Sequence, residues 1–122
     1  MRVVLDTNAL MMPVECDVRV FEELDRLLGE PTCLVPTAVV EELRKLSAGN
    51  GAEATAASVG LDLVDRCTVR ETDADYADDA VVELARTEDA HAVTNDEPLQ
   101  GRLQDAGVSV IRLRGQNKLA FK

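Results

Sequence analysis

The chain is poor in aromatic residues. Its 122 residues include two phenylalanines, one tyrosine and no tryptophan, so base-stacking platforms such as those of RRM and many OB-fold proteins are not expected. Hydrophobic residues make up 46% of the sequence, which is typical of a globular chain and not of a disordered one. The core must therefore be built mainly from Val, Leu and Ala.

Long apolar runs are also lacking. No stretch approaches the roughly 18 apolar residues of a membrane span, and the N-terminus has no signal-peptide core. The three cysteines, Cys16, Cys33 and Cys67, are odd in number and lack C-x-x-C spacing, which disfavours zinc and disulfide roles. We therefore expect a cytoplasmic protein with reduced cysteines and no membrane partner.

Positive charge is scarce outside the C-terminus. The formal net charge is −10, and an acidic surface ordinarily repels nucleic acid. The basic C-terminal segment, at about residues 112–122, includes Arg112, Arg114 and Lys118. Any nucleic-acid contact is expected there, and a solvated tail is the alternative interpretation.

Short apolar runs alternate with helical patterns along the chain. The predicted strands are 2–5, 32–35, 67–69, 91–94 and 108–113. The predicted helices are about 18–28, 36–46, 52–64, 77–87 and 96–106. This alternation predicts one α/β domain over residues 1–122, with a mostly parallel sheet of about five strands covered on both faces.

Acidic residues follow four of these strands. Asp6 follows the first, Glu42 lies one turn into the helix after the second, Asp78 and Asp79 open the helix after the third, and Asp96 follows the fourth. The carboxyl ends of parallel strands meet at one edge of a sheet, where ligand crevices form. Each acid also has a purely structural interpretation as a turn, a cap or a solvated helix residue.

Carboxylates that share a crevice raise one another's pKa unless a cation is present. Mg²⁺ and Mn²⁺ prefer oxygen ligands and often bridge to phosphates. Such ions can activate water for attack on a phosphodiester. The pattern therefore predicts metal-dependent phosphoryl transfer or hydrolysis.

Four segments in order, VVLDTNAL, PTAVVEELRKL, YADDAVVELA and AVTND, resemble the PIN-domain ribonuclease superfamily over essentially the whole chain. The layout is most similar to the archaeal counterparts of the PIN endonucleases of small-subunit rRNA processing. The resemblance implies a Rossmann-like α/β/α sandwich that cuts single-stranded RNA with Mg²⁺ or Mn²⁺. The implied partner is precursor rRNA or a pre-ribosome, with no DNA expected, and a homodimer is possible.

The resemblance also implies roles for individual residues. The catalytic and metal-binding set would be Asp6, Glu42, Asp79 and Asp96, with Asp78 as the alternative to Asp79 and Glu41 as the alternative to Glu42. Asn8 would orient Asp6 or a ligand water, and Thr94 would support the site by hydrogen bonding. Arg112, Arg114 and Lys118 would bind RNA phosphates. His91 begins a strand and is not expected to be a catalytic base.

Other classes fit less well. A phosphoacceptor receiver domain needs an acidic pair after its first strand, and a haloacid-dehalogenase-type phosphatase needs D-x-D there, whereas Asp6 is followed two residues later by Asn8. Two alternatives stay open. One is a VapC-like toxin ribonuclease with a cognate antitoxin, and the other is a non-catalytic RNA-binding ribosome-assembly factor with a PIN fold.

Overall fold

A computed structural model describes residues 1–122, with one six-stranded sheet flanked by six α-helices. The strands are β1 (Arg2–Leu5), β2 (Thr32–Pro36), β3 (Thr68–Arg70), β4 (His91–Val93), β5 (Val110–Arg114) and β6 (Lys118–Phe121). The helices are α1 (Thr7–Glu15), α2 (Val20–Leu28), α3 (Thr37–Ser47), α4 (Gly51–Leu63), α5 (Ala77–Thr87) and α6 (Glu97–Asp105). A single 3₁₀ turn, Val64–Arg66, follows α4.

The strand order is β3-β2-β1-β4-β5-β6, and all neighbours are parallel except β5 and β6. The chain therefore builds outward from β1 to β3 and then returns to the other side of β1 as β4. In such sheets the strand order reverses beside a crevice at the carboxyl edge. Leu5 pairs with Val93 across this point, which brings the residues after β1 and β4 side by side.

The core is built from aliphatic residues, as the composition predicts. The β1 residues Val3, Val4 and Leu5 are fully buried, since this strand lies inside the sheet. A single cluster of 33 buried residues joins the sheet to the helices. The predicted α/β class, with a mostly parallel sheet, is confirmed.

Two elements were not predicted from the sequence. The helix α1 begins directly at the Asp6 cap, and Pro13 inside it obscured the pattern. The strand β6 is only four residues long and pairs with β5 as an antiparallel hairpin. The basic C-terminal segment is therefore part of the sheet, because the turn at Gly115, with φ of 68°, reverses the chain.

Close packing of α4 against α1 explains the small residues of α4. Ala56, Ala57 and Gly60 are buried. A Cβ atom built on Gly60 would lie 3.0 Å from the Leu10 carbonyl oxygen. The glycine, which weakens an isolated helix, here permits the helices to approach.

None of the helices combines the length and apolar character that crossing a membrane requires.

Candidate active site at the carboxyl edge of the sheet

Asp6 is a buried carboxylate, with only 4% of its surface exposed. It caps α1, and its Oδ1 accepts a 2.7 Å hydrogen bond from the backbone N–H of Ala9. The pKa of Asp6 rises to about 7, mainly because of burial and to a smaller extent because of the charges of Asp78 and Asp96. Hydrogen bonds from the Thr94 hydroxyl and Ala9 oppose that rise without cancelling it. The folded chain thus holds Asp6 where its charge is unfavourable.

A cavity of about 240 Å³ opens beside Asp6. Its polar lining is strongly acidic, with no Lys, Arg or His among the lining residues. The carboxylates that line it are Asp6, Glu15, Glu42, Glu53, Asp78 and Asp96. They come from four helices and two helix caps, so only the folded chain collects them.

The two neighbouring aspartates at the start of α5 point to different places. Asp78 lines the acidic cavity, where partial burial and the charges of Asp96 and Glu42 raise its pKa. Asp79 instead accepts a 2.6 Å hydrogen bond from the Arg102 guanidinium. Successive helix residues differ by about 100° in direction, so one α5 turn cannot aim both side chains into the cavity. The structure brings Asp78, the alternative, to the cavity and not Asp79.

The neighbouring glutamates of α3 also separate. Both Glu41 and Glu42 are exposed, but only Glu42 lines the acidic cavity. Glu41 lines a groove on the other side, towards Tyr76. This placement favours Glu42 as the residue of the pair that faces Asp6.

Asn8 ties α1 to the loop that follows β4. Its side-chain oxygen accepts a 3.0 Å hydrogen bond from the backbone N–H of Asn95. The Asn95 side chain in turn accepts a 2.8 Å hydrogen bond from the Leu113 N–H of β5. Asn8 therefore fixes the cavity wall across three elements, and Asn95 extends this support beyond what the sequence indicated.

Thr94 stabilises the same loop through two hydrogen bonds. Its hydroxyl oxygen accepts a 3.0 Å hydrogen bond from the Asp96 N–H, and its carbonyl accepts a 2.8 Å hydrogen bond from the buried Gln100 amide. Asp96 caps α6 by accepting a 3.0 Å hydrogen bond from the Leu99 N–H. These bonds set the position of Asp96 relative to Asp6.

The donor set fits a hard divalent cation in its chemistry, because every charged lining group is a carboxylate. The buried Thr7 hydroxyl, also in this lining, has no hydrogen-bond partner, which indicates that a polar species is needed beside it. In the present side-chain positions, the structure contains no group of three or more Asp, Glu, His or Cys side chains close enough together to hold a metal ion. An ion would therefore have to draw the exposed Glu42 and Asp78 carboxylates towards Asp6 and Asp96.

Two acids of the cavity, Glu15 and Glu53, were missed by sequence reasoning. Glu15 ends α1, and Glu53 lies in the first turn of α4. Neither follows a strand, so the strand-end argument could not find them. Their contribution depends on the packing of α1 against α4.

The basic residues lie on the β5–β6 hairpin. Arg112 and Arg114 are two residues apart on β5 and share one face, and Lys118 pairs directly opposite Arg114. All three are exposed. Arg114 ends β5 at the carboxyl edge of the sheet, whereas the Lys118 ammonium lies 3.9 Å from the Glu23 carboxylate.

His91 lies at the opposite edge of the sheet, at the start of β4. Its ring is half-buried, packs edge-on against Phe121, and has Nε2 3.4 Å from the Met1 sulfur. It does not line the acidic cavity.

The fold and this cavity define an α/β protein with an acidic site where the order of a mostly parallel sheet reverses. A model of the protein family described as "PIN like domain" matches residues 3–116, and the chain belongs to that family. The resemblance to PIN domains is thereby confirmed.

Solved structures share the fold. The PIN domain endonuclease Utp24 matches with a TM-score of 0.81 and 23% identity, over 99% of this chain and 90% of that one. VapBC2 from Rickettsia felis, bound to a promoter DNA fragment, matches with a TM-score of 0.67 and 15% identity over 92% and 98%. A domain of a functionally unknown protein from Methanocaldococcus jannaschii matches with a TM-score of 0.69 and 18% identity over 96% and 94%. Curated proteins gave no match.

Proposed function

We propose that this protein is a divalent-metal-dependent endoribonuclease that hydrolyses single-stranded RNA during rRNA processing or ribosome assembly. One observation supports this above all: the buried Asp6 shares a cavity with five other carboxylates and no basic side chain. Burying a charge without a partner is expensive, and such sites are candidates for function. A bound cation would remove that cost.

Asp6, Glu42, Asp78 and Asp96 are the residues that would hold Mg²⁺ or Mn²⁺. When bound, the ion would supply a Lewis acid that polarises a phosphodiester and lowers the pKa of water. Asp6 and Asp96 are fixed by their caps on α1 and α6, so they form the rigid part of the site. Glu42 and Asp78 would complete it from α3 and α5.

The basic face of the β5–β6 hairpin would hold the RNA backbone. Arg112 and Arg114 present forked guanidinium groups that suit phosphate oxygens. Lys118 shares their face, although Glu23 partly neutralises it. This face offsets the repulsion that an acidic cavity exerts on RNA.

The endonuclease assignment draws support from the family match and from the fold shared with an endonuclease. The ribosomal role rests on the sequence motifs. The fold shared with VapBC2 keeps a toxin ribonuclease as the second candidate. The position of the cut would separate them, because a processing enzyme must cut a precursor junction and a toxin need not.

The test is cleavage of single-stranded RNA that carries a ribosomal precursor junction, in Mn²⁺, Mg²⁺ or EDTA, from low to molar salt. We expect metal-dependent cleavage that is lost in Asp6→Asn and strongly reduced in Asp96→Asn. Asp105→Asn is the matched control, because Asp105 is an exposed acid at the opposite end of α6 from Asp96. Cutting at the junction supports the processing role.

Two results would contradict the proposal. Full activity in Asp6→Asn would remove this carboxylate from the mechanism. RNA binding by a folded protein that cuts in no condition would favour a non-catalytic assembly factor.

A further inference from the structure

Tyr76 is an unusually exposed aromatic residue beside the candidate active site. Its exposed fraction is 78%, the highest among the exposed large hydrophobic residues. It is the N-cap residue of α5 and precedes Asp78, which lines the acidic cavity, by two positions. A large ring that does not pack in the protein is available to a ligand.

The segment that carries Tyr76 is well anchored. The Glu83 carboxylate accepts hydrogen bonds from the N–H groups of Asp73, at 2.8 Å, and Ala74, at 3.1 Å. The Tyr76 carbonyl accepts a 2.9 Å hydrogen bond from the Ala80 N–H, which begins the α5 ladder. The backbone on both sides of Tyr76 is therefore held, so little further ordering would be needed to bind a ligand on its ring.

A groove of about 580 Å³ runs from Tyr76 to the outer face of α3. Its charged lining residues are Glu41, Lys45, Glu71 and Asp75. The groove neighbours the acidic cavity, because Glu41 and Glu42 are consecutive on α3 and line one space each. A strand of RNA with its scissile phosphate at the cavity would thus place an adjacent nucleotide near this groove.

We infer that Tyr76 stacks on a base of the single-stranded RNA and that the groove favours bases with an exocyclic amino group. This inference rests on the proposed function. The three carboxylates of the lining outnumber its one ammonium, so its net negative charge repels phosphate. The base, and not the phosphate backbone, therefore enters the groove. Carboxylates accept hydrogen bonds only, and they pair with amino groups such as N4 of cytosine. The low aromatic content excludes a multi-base platform but not a single stacking position.

The sequence offers a direct probe, because Tyr76 is the only tyrosine. Protein labelled with 3-fluorotyrosine has one ¹⁹F resonance, and it reports this ring alone. The label is followed while oligoadenylate, oligouridylate or an abasic ribose-phosphate chain of equal length is added, with Ca²⁺ as the divalent ion. Fluorescence anisotropy of dye-labelled RNA measures binding independently, and a gel checks that the RNA is intact.

We expect oligoadenylate to shift the ¹⁹F resonance, the abasic chain to leave it unchanged, and oligouridylate to bind more weakly. Stacking on one aromatic ring implies that Tyr76→Ala weakens oligoadenylate binding on the order of 5- to 150-fold. Tyr76→Phe should retain binding. Phe121→Ala is the matched control, because Phe121 is 46% exposed and packs against His91 at the opposite edge of the sheet; it should also retain binding.

Unchanged oligoadenylate affinity in Tyr76→Ala, without a ¹⁹F shift in the wild type, would overturn the stacking while leaving the proposed function intact. Equal affinity for oligoadenylate and oligouridylate would overturn the preference for amino groups. Absence of any RNA binding by the folded wild type would overturn this inference and the proposed function together.

Discussion

The molecule buries two carboxylates in opposite ways. Asp6 and Glu23 are 4% and 8% exposed, so both have little surface in contact with solvent. The pKa of Asp6 rises from 3.8 to about 7, mainly because burial disfavours its charge. The pKa of Glu23 falls from 4.5 to about 2, mainly because Arg26 donates hydrogen bonds to it. The two carboxylates therefore have opposite electrostatics, because desolvation dominates at Asp6, whereas hydrogen bonds from Arg26 and from the Leu119 N–H outweigh desolvation at Glu23.

Glu23 belongs to a structural clasp, which we define as Glu23, Arg26 and Leu119. The Glu23 carboxylate accepts a 2.8 Å hydrogen bond from Arg26 and a 2.9 Å hydrogen bond from the Leu119 N–H. Arg26 also donates a 2.8 Å hydrogen bond to the Leu119 carbonyl. The clasp closes the edge of β6 with side chains of α2, and an unpaired strand edge is otherwise open to association.

Asp6 has hydrogen bonds but no cation. Ionising it in the metal-free protein costs stability, as is common where function opposes stability. In this protein the acid that is paired with a cation supports the fold, whereas the buried acid without a cation marks a site to be completed by a ligand.

The substitution Asp6→Asn should give the largest change. We expect cleavage to fall by about 100-fold or more, since loss of a ligand exceeds the 10- to 100-fold effect of second-shell changes. In EDTA at pH 8 the same variant should be more stable than the wild type, by about 1–4 kcal/mol, because one pKa unit corresponds to about 1.4 kcal/mol. Urea unfolding and RNA cleavage measure both effects. A variant that loses activity and stability together would contradict the assignment of Asp6 as an uncompensated charge.

In the metal-free protein, Asp6 and Glu23 should make the free energy of unfolding depend on pH with opposite signs. Between pH 4 and 7 the folded Asp6 keeps its proton while the unfolded chain releases it, so the free energy of unfolding falls as pH rises, by at most about 4 kcal/mol. Below pH 4.5 Glu23 binds a proton in the unfolded chain but stays ionised in the folded protein, so the free energy of unfolding falls as pH drops towards 2.

Urea titrations at several pH values, in EDTA, test this dependence. The difference between wild type and Asp6→Asn should grow from pH 4 to 7 and level off above it. A difference that stays constant over this range would show that Asp6 does not titrate as its burial implies.

How much the sequence revealed differs between the two carboxylates. Asp6 was predicted as a site residue because its signal is local: a buried strand ends, and an acid follows. The Glu23–Arg26 pair is also local, at i,i+3 on a helix, but the contact of Glu23 with Leu119 is not, since Leu119 is 96 residues away on a strand that was not predicted. A distant partner also separates the directions of the Asp78 and Asp79 side chains, because Arg102, 23 residues further along, donates a hydrogen bond to Asp79. The alternation of strands and helices and the acids at strand ends can thus be predicted from short stretches of sequence. Contacts between residues that are distant in the sequence depend on how the elements pack and cannot be predicted in this way.

Divalent ions should stabilise the acidic cavity and leave the clasp unaffected. At 100 times the dissociation constant a bound ion adds about 2.7 kcal/mol, so Mn²⁺ should raise the melting temperature of the wild type. Asp78→Asn should reduce this shift, because Asp78 lines the cavity. Asp79→Asn should retain it, because Asp79 pairs with Arg102 outside the cavity. Loss of the shift in Asp79→Asn alone would restore the choice made from the sequence.

The substitution Glu23→Gln is the counterpart of Asp6→Asn, and its sign should be reversed. Removing the charge leaves Arg26 without its ion pair, so we expect a loss of about 1.5–3 kcal/mol at neutral pH, the usual range for hydrogen bonds to charged groups. Glu22→Gln on the same helix is the control, because Glu22 is exposed and its carboxylate lies 3.9 Å from the Arg66 guanidinium. Such surface ion pairs contribute about 0–1 kcal/mol to stability. Urea unfolding compares the two. Specific activity per folded molecule should not fall in Glu23→Gln, because Glu23 does not line the acidic cavity and its loss frees Lys118. If Glu23→Gln instead stabilised the protein as Asp6→Asn does, the cation beside Glu23 would not offset the cost of burial, and the distinction between the two carboxylates would fail.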